Sequence, residues 1–263
     1  MEATHVPVAA GQVYCEAVGD GPPIILTHDG LVHRESWDAQ FPAWSANYRV
    51  ARWDRRGYGR SDEPEIEYSS ADDLAWVAGH VTDAPAVLVG CSFGALVSIR
   101  CALDRPQLVA GLVLVGPIVT GLDFTEHFLT RGGRGFPGPD APLEEHLAYW
   151  CETDPWFIAG QNHAARHRLR QLLAANPHNL RPKAALERAA AEPLLRRLAE
   201  ISVPTLVVSG EHDIPDVHAH SGALAAGIPA AERVVLSGSG HLPHVEVPEA
   251  FDTAVWSFLD ALG

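Results

Sequence analysis

Three residues of this sequence have types and surroundings that suit one chemistry. Ser92 stands in Gly90-Cys91-Ser92-Phe93-Gly94, a G-x-S-x-G pattern. A serine hydroxyl is a poor nucleophile until a base removes its proton. His241, in SGSGHLPH, is the candidate base, and Asp213, in GEHD, is the candidate carboxylate. A buried carboxylate bonded to the far imidazole nitrogen fixes the tautomer and stabilises the imidazolium. The competitors are His244, which follows a proline and lies nearer the last helix, and Asp216 and Glu211, which flank Asp213. The chemistry implied is nucleophilic attack on a carbonyl by Ser92, with proton transfer through the imidazole.

Such residues act only if the chain brings them to one place. G-x-S-x-G is common on its own, so its context decides its meaning. Here an apolar run, Pro85 to Cys91, precedes it and a helical stretch, Phe93 to Leu103, follows. A sharp strand-to-helix turn lifts the serine above a sheet, and side chains two residues on either side would strike the neighbouring backbone. Gly90 and Gly94 are therefore expected. Asp213 follows the apolar run Pro204 to Gly210, and His241 follows Arg233 to Leu236. All three then lie at the carboxyl ends of strands, the edge where ligands gather in open α/β sheets.

The rest of the chain supplies such a sheet. Strands are expected over His5 to Val8, Gln12 to Val18, Pro23 to His28, Tyr48 to Asp54 and Val109 to Gly116, besides those above. Helices are expected over Ser36 to Asn47, Asp72 to Val81 and Pro248 to Leu262, with Ser70 or Asp72 capping the second. Strands alternating with helices imply a mainly parallel sheet covered on both faces. The rhythm breaks between Pro117 and Arg197, which opens glycine- and proline-rich (RGGRGFPGPDAP) and continues with helical stretches in PLEEHLAYW, NHAARHRLRQLLAAN and KAALERAAAEPLLRRL. The expectation is a core of residues 1–116 and 198–263 with a helical insertion at 117–197.

Composition bounds the partners. The 263 residues are 47% hydrophobic and 20% charged, with 19 Lys plus Arg against 33 Asp plus Glu, a net charge of −14. An acidic surface repels phosphate backbones and anionic lipid, so neither nucleic acid nor membrane is an expected partner. No apolar stretch approaches the ~20 residues that span a bilayer. Cys15, Cys91, Cys101 and Cys151 show no CxxC and read as reduced thiols of a cytoplasmic protein. His163 and His167 have a metal-like spacing without a third ligand, so no metal or cofactor is expected. Arg55, Arg56 and Arg60 read as parts of a structural loop.

THDG at 27–30, WDRRGYGRSD at 53–62, GCSFG at 90–94, GEHD at 210–213 and GSGH at 238–241, in that order, resemble the α/β-hydrolase superfamily, in particular its small esterases, lactonases and haloperoxidase-like members. The resemblance covers nearly the whole chain. It implies an eight-stranded, mostly parallel α/β-hydrolase sheet flanked by helices, with the insertion as a helical cap. It also implies an oxyanion hole from the backbone N–H groups of Phe93 and Gly30. The sequence departs from the family at one point: the usual His-Gly is His28-Asp29, and a carboxylate beside an oxyanion site has to point away or be paired. This leaves Leu31 as an alternative donor to Gly30. Trp150, Trp156 and Phe157 are candidates for an apolar acyl pocket. The implied activity is hydrolysis of a small, fairly apolar ester or lactone without a cofactor. The alternatives are carbon–carbon bond hydrolysis or lyase chemistry on the same three residues, and a receptor-like role.

Overall fold

The structure is a computed structural model that describes residues 1–126, 128–129, 137–138, 140–153, 158–180 and 186–263. Eight strands form one sheet: β1 (Glu2–Val8), β2 (Gly11–Val18), β3 (Pro23–Thr27), β4 (Arg49–Trp53), β5 (Ala86–Cys91), β6 (Val109–Val115), β7 (Thr205–Gly210) and β8 (Ala231–Leu236). Their order is β1-β2-β4-β3-β5-β6-β7-β8. β1 and β2 are antiparallel, as are β2 and β4, and every other pair is parallel. The eight-stranded, mostly parallel sheet expected from the sequence is present. β5, at the centre, is buried along its whole length.

Successive residues of a strand face opposite sides, so β5 feeds two cores. Leu88 packs with Leu74 and Val77 of α2 (Ser70–Val81), with Val97 and Ile99 of α3 (Phe93–Asp104), and with Leu224. Val87, Val89 and Cys91 pack on the other side. There they meet Phe41 and Trp44 of α1 (Gln40–Trp44) and Leu169 of the helix His163–Ala175.

The insertion between β6 and β7 contains α4 (Leu143–Ala148), continued by a π-helical turn at Tyr149–Thr153, and α5 (His163–Ala175). After β7 come α6 (Pro215–Gly227), α7 (Pro243–Glu246) and α8 (Pro248–Leu262).

Several elements differ from expectation. The single helix over 36–47 is instead a 3₁₀ turn at Arg34–Trp37 and the five-residue α1, because the expected stretch contains Pro42 and offers no capping side chain at Ala39. Ser69, rather than Ser70 or Asp72, caps α2 by accepting from the Asp72 N–H at 3.3 Å. The helix expected through KAALERAAAEPLLRRL does not form over 186–193. There Glu187 bonds the Ser70 N–H and hydroxyl at 2.8 and 2.6 Å, holding the chain across the start of α2. Only Leu194–Glu200, after Pro193, winds into a 3₁₀ helix. α6 was not anticipated: its alanines, glycines and histidines carry almost no amphipathic pattern.

The segment after β4 is pinned by a buried ion pair. Arg56 donates from Nε and Nη2 to the two oxygens of Asp73, at 2.7 and 2.8 Å, with both side chains almost wholly buried. Removing one partner of such a pair leaves an uncompensated buried charge. Asp73→Ala is expected to cost about 3–5 kcal/mol of unfolding free energy in urea denaturation at neutral pH.

Candidate active site

β5 ends at Cys91 and α3 begins at Phe93, leaving a single residue, Ser92, to reverse the chain. Its φ of 52° and ψ of −111° are strained for a residue with a side chain. Neighbouring backbone forces the two glycines. A Cβ on Gly90 would come within 2.3 Å of the Gly94 carbonyl oxygen. One on Gly94 would come within 2.4 and 2.6 Å of the carbonyl oxygens of Thr27 and His28. The turn is anchored by the Ser92 N–H, which donates to the Val115 carbonyl at 2.8 Å.

Asp213 and His241 arrive from the ends of β7 and β8. Asp213 is 7% exposed. Its Oδ1 accepts from the Ile214 N–H at 2.8 Å, and its Oδ2 lies 2.9 Å from Nδ1 of His241. Gly116, at the end of β6, makes room for the imidazole: a Cβ there would sit 3.0 Å from Nδ1. Burial by itself disfavours the imidazolium of His241. The bonded Asp213 carboxylate, with Asp29 and Glu246 further off, outweighs that effect and raises the pKa from an ordinary 6.5 to about 9.

The competitors have other partners. His244 is fully buried and stacked on Trp37 with ring centroids 3.9 Å apart. Burial, and the neighbouring His241, push its pKa down to about 3. Asp216 accepts from the Thr125 N–H and hydroxyl at 2.6 and 3.0 Å, tying the start of the insertion to α6. Glu211 accepts from the Gly238 N–H at 3.1 Å. The Cys91 thiol, next to Ser92, is fully buried, and desolvation holds it well above its usual pKa, so it offers no thiolate.

Sequence reasoning missed Glu246. Its two oxygens accept from the Gly240 and Leu242 N–H groups at 2.8 and 3.0 Å, the residues on either side of His241. Burial raises its pKa to about 7, although those two N–H groups oppose the rise. The insertion reaches the same residue, since Asn162 Nδ2 donates to the Glu246 carbonyl at 2.8 Å. A carboxylate five residues after the histidine was a visible signal, but nothing in the spacing revealed a turn that brings it back.

The loop after β3 is equally ordered. The His28 ring accepts from the Arg55 N–H through Nε2 at 3.0 Å, so Nδ1 carries the proton that bonds the Asp29 carbonyl at 2.8 Å. Burial, reinforced by Arg55, keeps His28 neutral. Arg55 Nη2 donates to the Asp29 carbonyl at 2.7 Å, and its guanidinium lies 4.5 Å from the ring centroids of both Tyr58 and Phe93. Asp29 Oδ1 accepts from the Leu31 and Val32 N–H groups at 2.5 and 3.0 Å. Leu31, the alternative oxyanion donor, thus has its N–H engaged. A Cβ on Gly30 would lie 3.8 Å from that of Phe93, so the two expected donors are neighbours.

Ser92, His241 and Asp213 line one cavity of about 230 Å³, together with Asp29, Gly30 and Leu31. Its remaining described wall is apolar: Ile118, Phe124, Phe128, Trp150, Ile158, Ile214 and Val217. Trp150 is thus on the wall, whereas Trp156 and Phe157 lie outside the described residues. Arg56 serves the ion pair with Asp73. Arg60 gives its N–H to Asp54 and its guanidinium to the Tyr14 hydroxyl, each at 2.9 Å. Among the described residues, no three His, Cys, Asp or Glu side chains group as a metal site, and no helix is long and apolar enough to cross a membrane.

A central serine turn, an imidazole bonded to a strand-end carboxylate, and an eight-stranded sheet of this order define the α/β-hydrolase class. The sequence matches the Alpha/beta hydrolase family over residues 24–254, and the chain belongs to that family. It is 31% identical to RutD of Klebsiella pneumoniae, named as a carbamate hydrolase, over 92% of this chain and 93% of that one. It is 30% identical to the pimeloyl-[acyl-carrier protein] methyl ester esterase of Vibrio atlanticus, over 94% and 97%. Among solved structures it resembles Est816, an N-acyl homoserine lactone degrading enzyme, with a TM-score of 0.77 and 26% identity over 97% and 100% of the two chains.

The raised pKa of His241 has a direct test. Its folded value lies above its unfolded one, so the stability it contributes is complete below about 6.5 and is lost as pH rises through about 9. In an NMR titration the ring is expected to titrate near 9 in the parent chain. In Asp213→Asn the largest favourable influence on the imidazolium is gone, burial still opposes it, and the midpoint should fall well below 9. A midpoint unmoved by the substitution would contradict the assigned cause.

Proposed function

We propose that this hydrolase cleaves a small, fairly apolar carboxylic ester or lactone through an acyl-enzyme on Ser92. The observation that carries the reading is the convergence of Ser92 and the Asp213–His241 pair, bonded at 2.9 Å, on one largely apolar cavity. The methyl ester and lactone activities named for the relatives belong to the same type of acyl transfer.

In its neutral form, the form favoured as pH rises toward 9, the imidazole of His241 takes the Ser92 hydroxyl proton as Oγ bonds the carbonyl carbon. The carbonyl electron pair moves onto oxygen, where the N–H groups of Gly30 and Phe93 receive it. Phe93 opens α3, so its N–H has no acceptor within the helix. Gly30 is preferred to Leu31 because Asp29 occupies the Leu31 N–H. Losing one such donor typically costs about 10²–10³ in rate. The carbon–oxygen bond then breaks and the leaving alkoxide takes the proton from the imidazolium. Water repeats the sequence in deacylation, with His241 again as base, and frees the acid and Ser92.

Residues 117–197 act as a cap, contributing Ile118, Phe124, Phe128, Trp150 and Ile158 to the acyl-binding wall. Four free, buried cysteines suit a reducing, cytoplasmic setting. A fluorophosphonate is expected to label Ser92 alone in peptide mapping. Ser92→Ala should abolish labelling and lower ester turnover on the order of 10⁵–10⁶-fold. Labelling of another residue, or an active Ser92→Ala, would refute the assignment.

A further inference from the structure

Asp29 stands where the resembling family carries glycine, and its two carboxylate oxygens have different surroundings. Oδ1 is saturated by the Leu31 and Val32 N–H groups. Oδ2 is buried with no hydrogen-bond partner among the described residues. A buried carboxylate oxygen without a partner is costly and exerts its field through a medium that screens poorly. Arg55, the cation bonded to Asp29, uses Nη2 on its main-chain carbonyl and stacks on two rings.

This residue lines the same cavity as Ser92 and His241, beside Gly30. Asp213, the other acid on the wall, has both oxygens engaged, one by His241 and one by the Ile214 N–H. No lysine or arginine lines the cavity among the described residues, and the one cation on its wall, the His241 imidazolium, is paired with Asp213, which leaves the Asp29 charge unbalanced by the lining. The chain as a whole adds to the sign, with a net charge of −14.

We propose that Asp29 is a specificity-determining residue: its carboxylate sets the cavity against acyl groups that carry a negative charge and in favour of acyl groups that carry a cation near the scissile carbonyl. The inference rests on the ester-hydrolase reading for its kinetic form, but not for its binding form. Its physical content is charge at short range. A unit charge a few ångströms from a poorly solvated carboxylate changes binding by an order of magnitude or more.

Three methyl esters of similar size test it: methyl butyrate (neutral), methyl 2-aminobutyrate (cationic below the pKa of its amine) and monomethyl succinate (anionic). Asp29→Asn keeps Oδ1 as the acceptor for the Leu31 and Val32 N–H groups and replaces the unpaired oxygen by a neutral donor. Comparing ratios of kcat/KM between parent and variant cancels the intrinsic reactivity of each ester. The cationic-to-neutral ratio should fall about tenfold in Asp29→Asn and the anionic-to-neutral ratio should rise about tenfold. Unchanged ratios would overturn the proposal.

A second measurement needs neither turnover nor the Asp29 variant. Calorimetric binding of the intact esters to Ser92→Ala should rank the cation tightest and the anion weakest by at least tenfold. Equal affinity for the neutral and anionic esters would overturn the proposal. Failure of all three esters to be hydrolysed, with that binding order intact, would instead count against the ester-hydrolase reading alone.

Discussion

The site depends on one steric constraint: a single residue must reverse the chain between the central strand and the helix behind it. Ser92 meets this with positive φ. The reversal brings the backbones of residues 27–28, 90 and 94 so close that no Cβ fits at Gly90 or Gly94. The strain is held by what surrounds it. β5 is buried along its length, and α3 buries Ala95, Val97, Ile99 and Cys101 against the sheet. Stability built far from the cavity therefore holds one half-buried serine on the cavity wall at a strand end.

The second organising feature is the set of carboxylates around one imidazole. Asp213 bonds it, Glu246 bonds the two N–H groups that flank it, and Asp29 lies on the cavity wall nearby. Each is bound differently, so each has a distinct effect. Asp213 orients the ring and favours its charged form. Glu246 ties the histidine loop to a residue that also receives Asn162 from the insertion. Asp29 organises the loop after β3 with one oxygen, and the other has no partner among the described residues.

Much of this was legible in the sequence, for definite reasons. The strands beneath Ser92 and Asp213 are short apolar runs ending in glycine-bearing turns, a pattern that a buried parallel strand imposes. Gly90 and Gly94 flank the serine because backbone, rather than side chains, packs there. What could not be read depends on contacts between distant segments. Leu186 to Pro193 has the composition of a helix, yet Glu187 is drawn to the start of α2. α6 lacks a sustained apolar stripe, since its buried face mixes Asp216, His220 and Ser221 with Val217 and Leu224. The triple service of Arg55, to Asp29, Tyr58 and Phe93, arises only when the loops after β3 and β4 meet. For Asp29 the sequence showed the anomaly, and the two hydrogen bonds to Oδ1 show how the loop accommodates it.

The account is tested most directly by a crystal structure of the protein after reaction with a small alkyl phosphonate. Continuous density is expected from Ser92 Oγ to phosphorus. The phosphoryl oxygen should lie within hydrogen-bonding distance of both the Gly30 and Phe93 N–H groups, with Nε2 of His241 turned toward the position vacated by the leaving group. An adduct on another side chain, or a phosphoryl oxygen bonded to neither N–H, would contradict it.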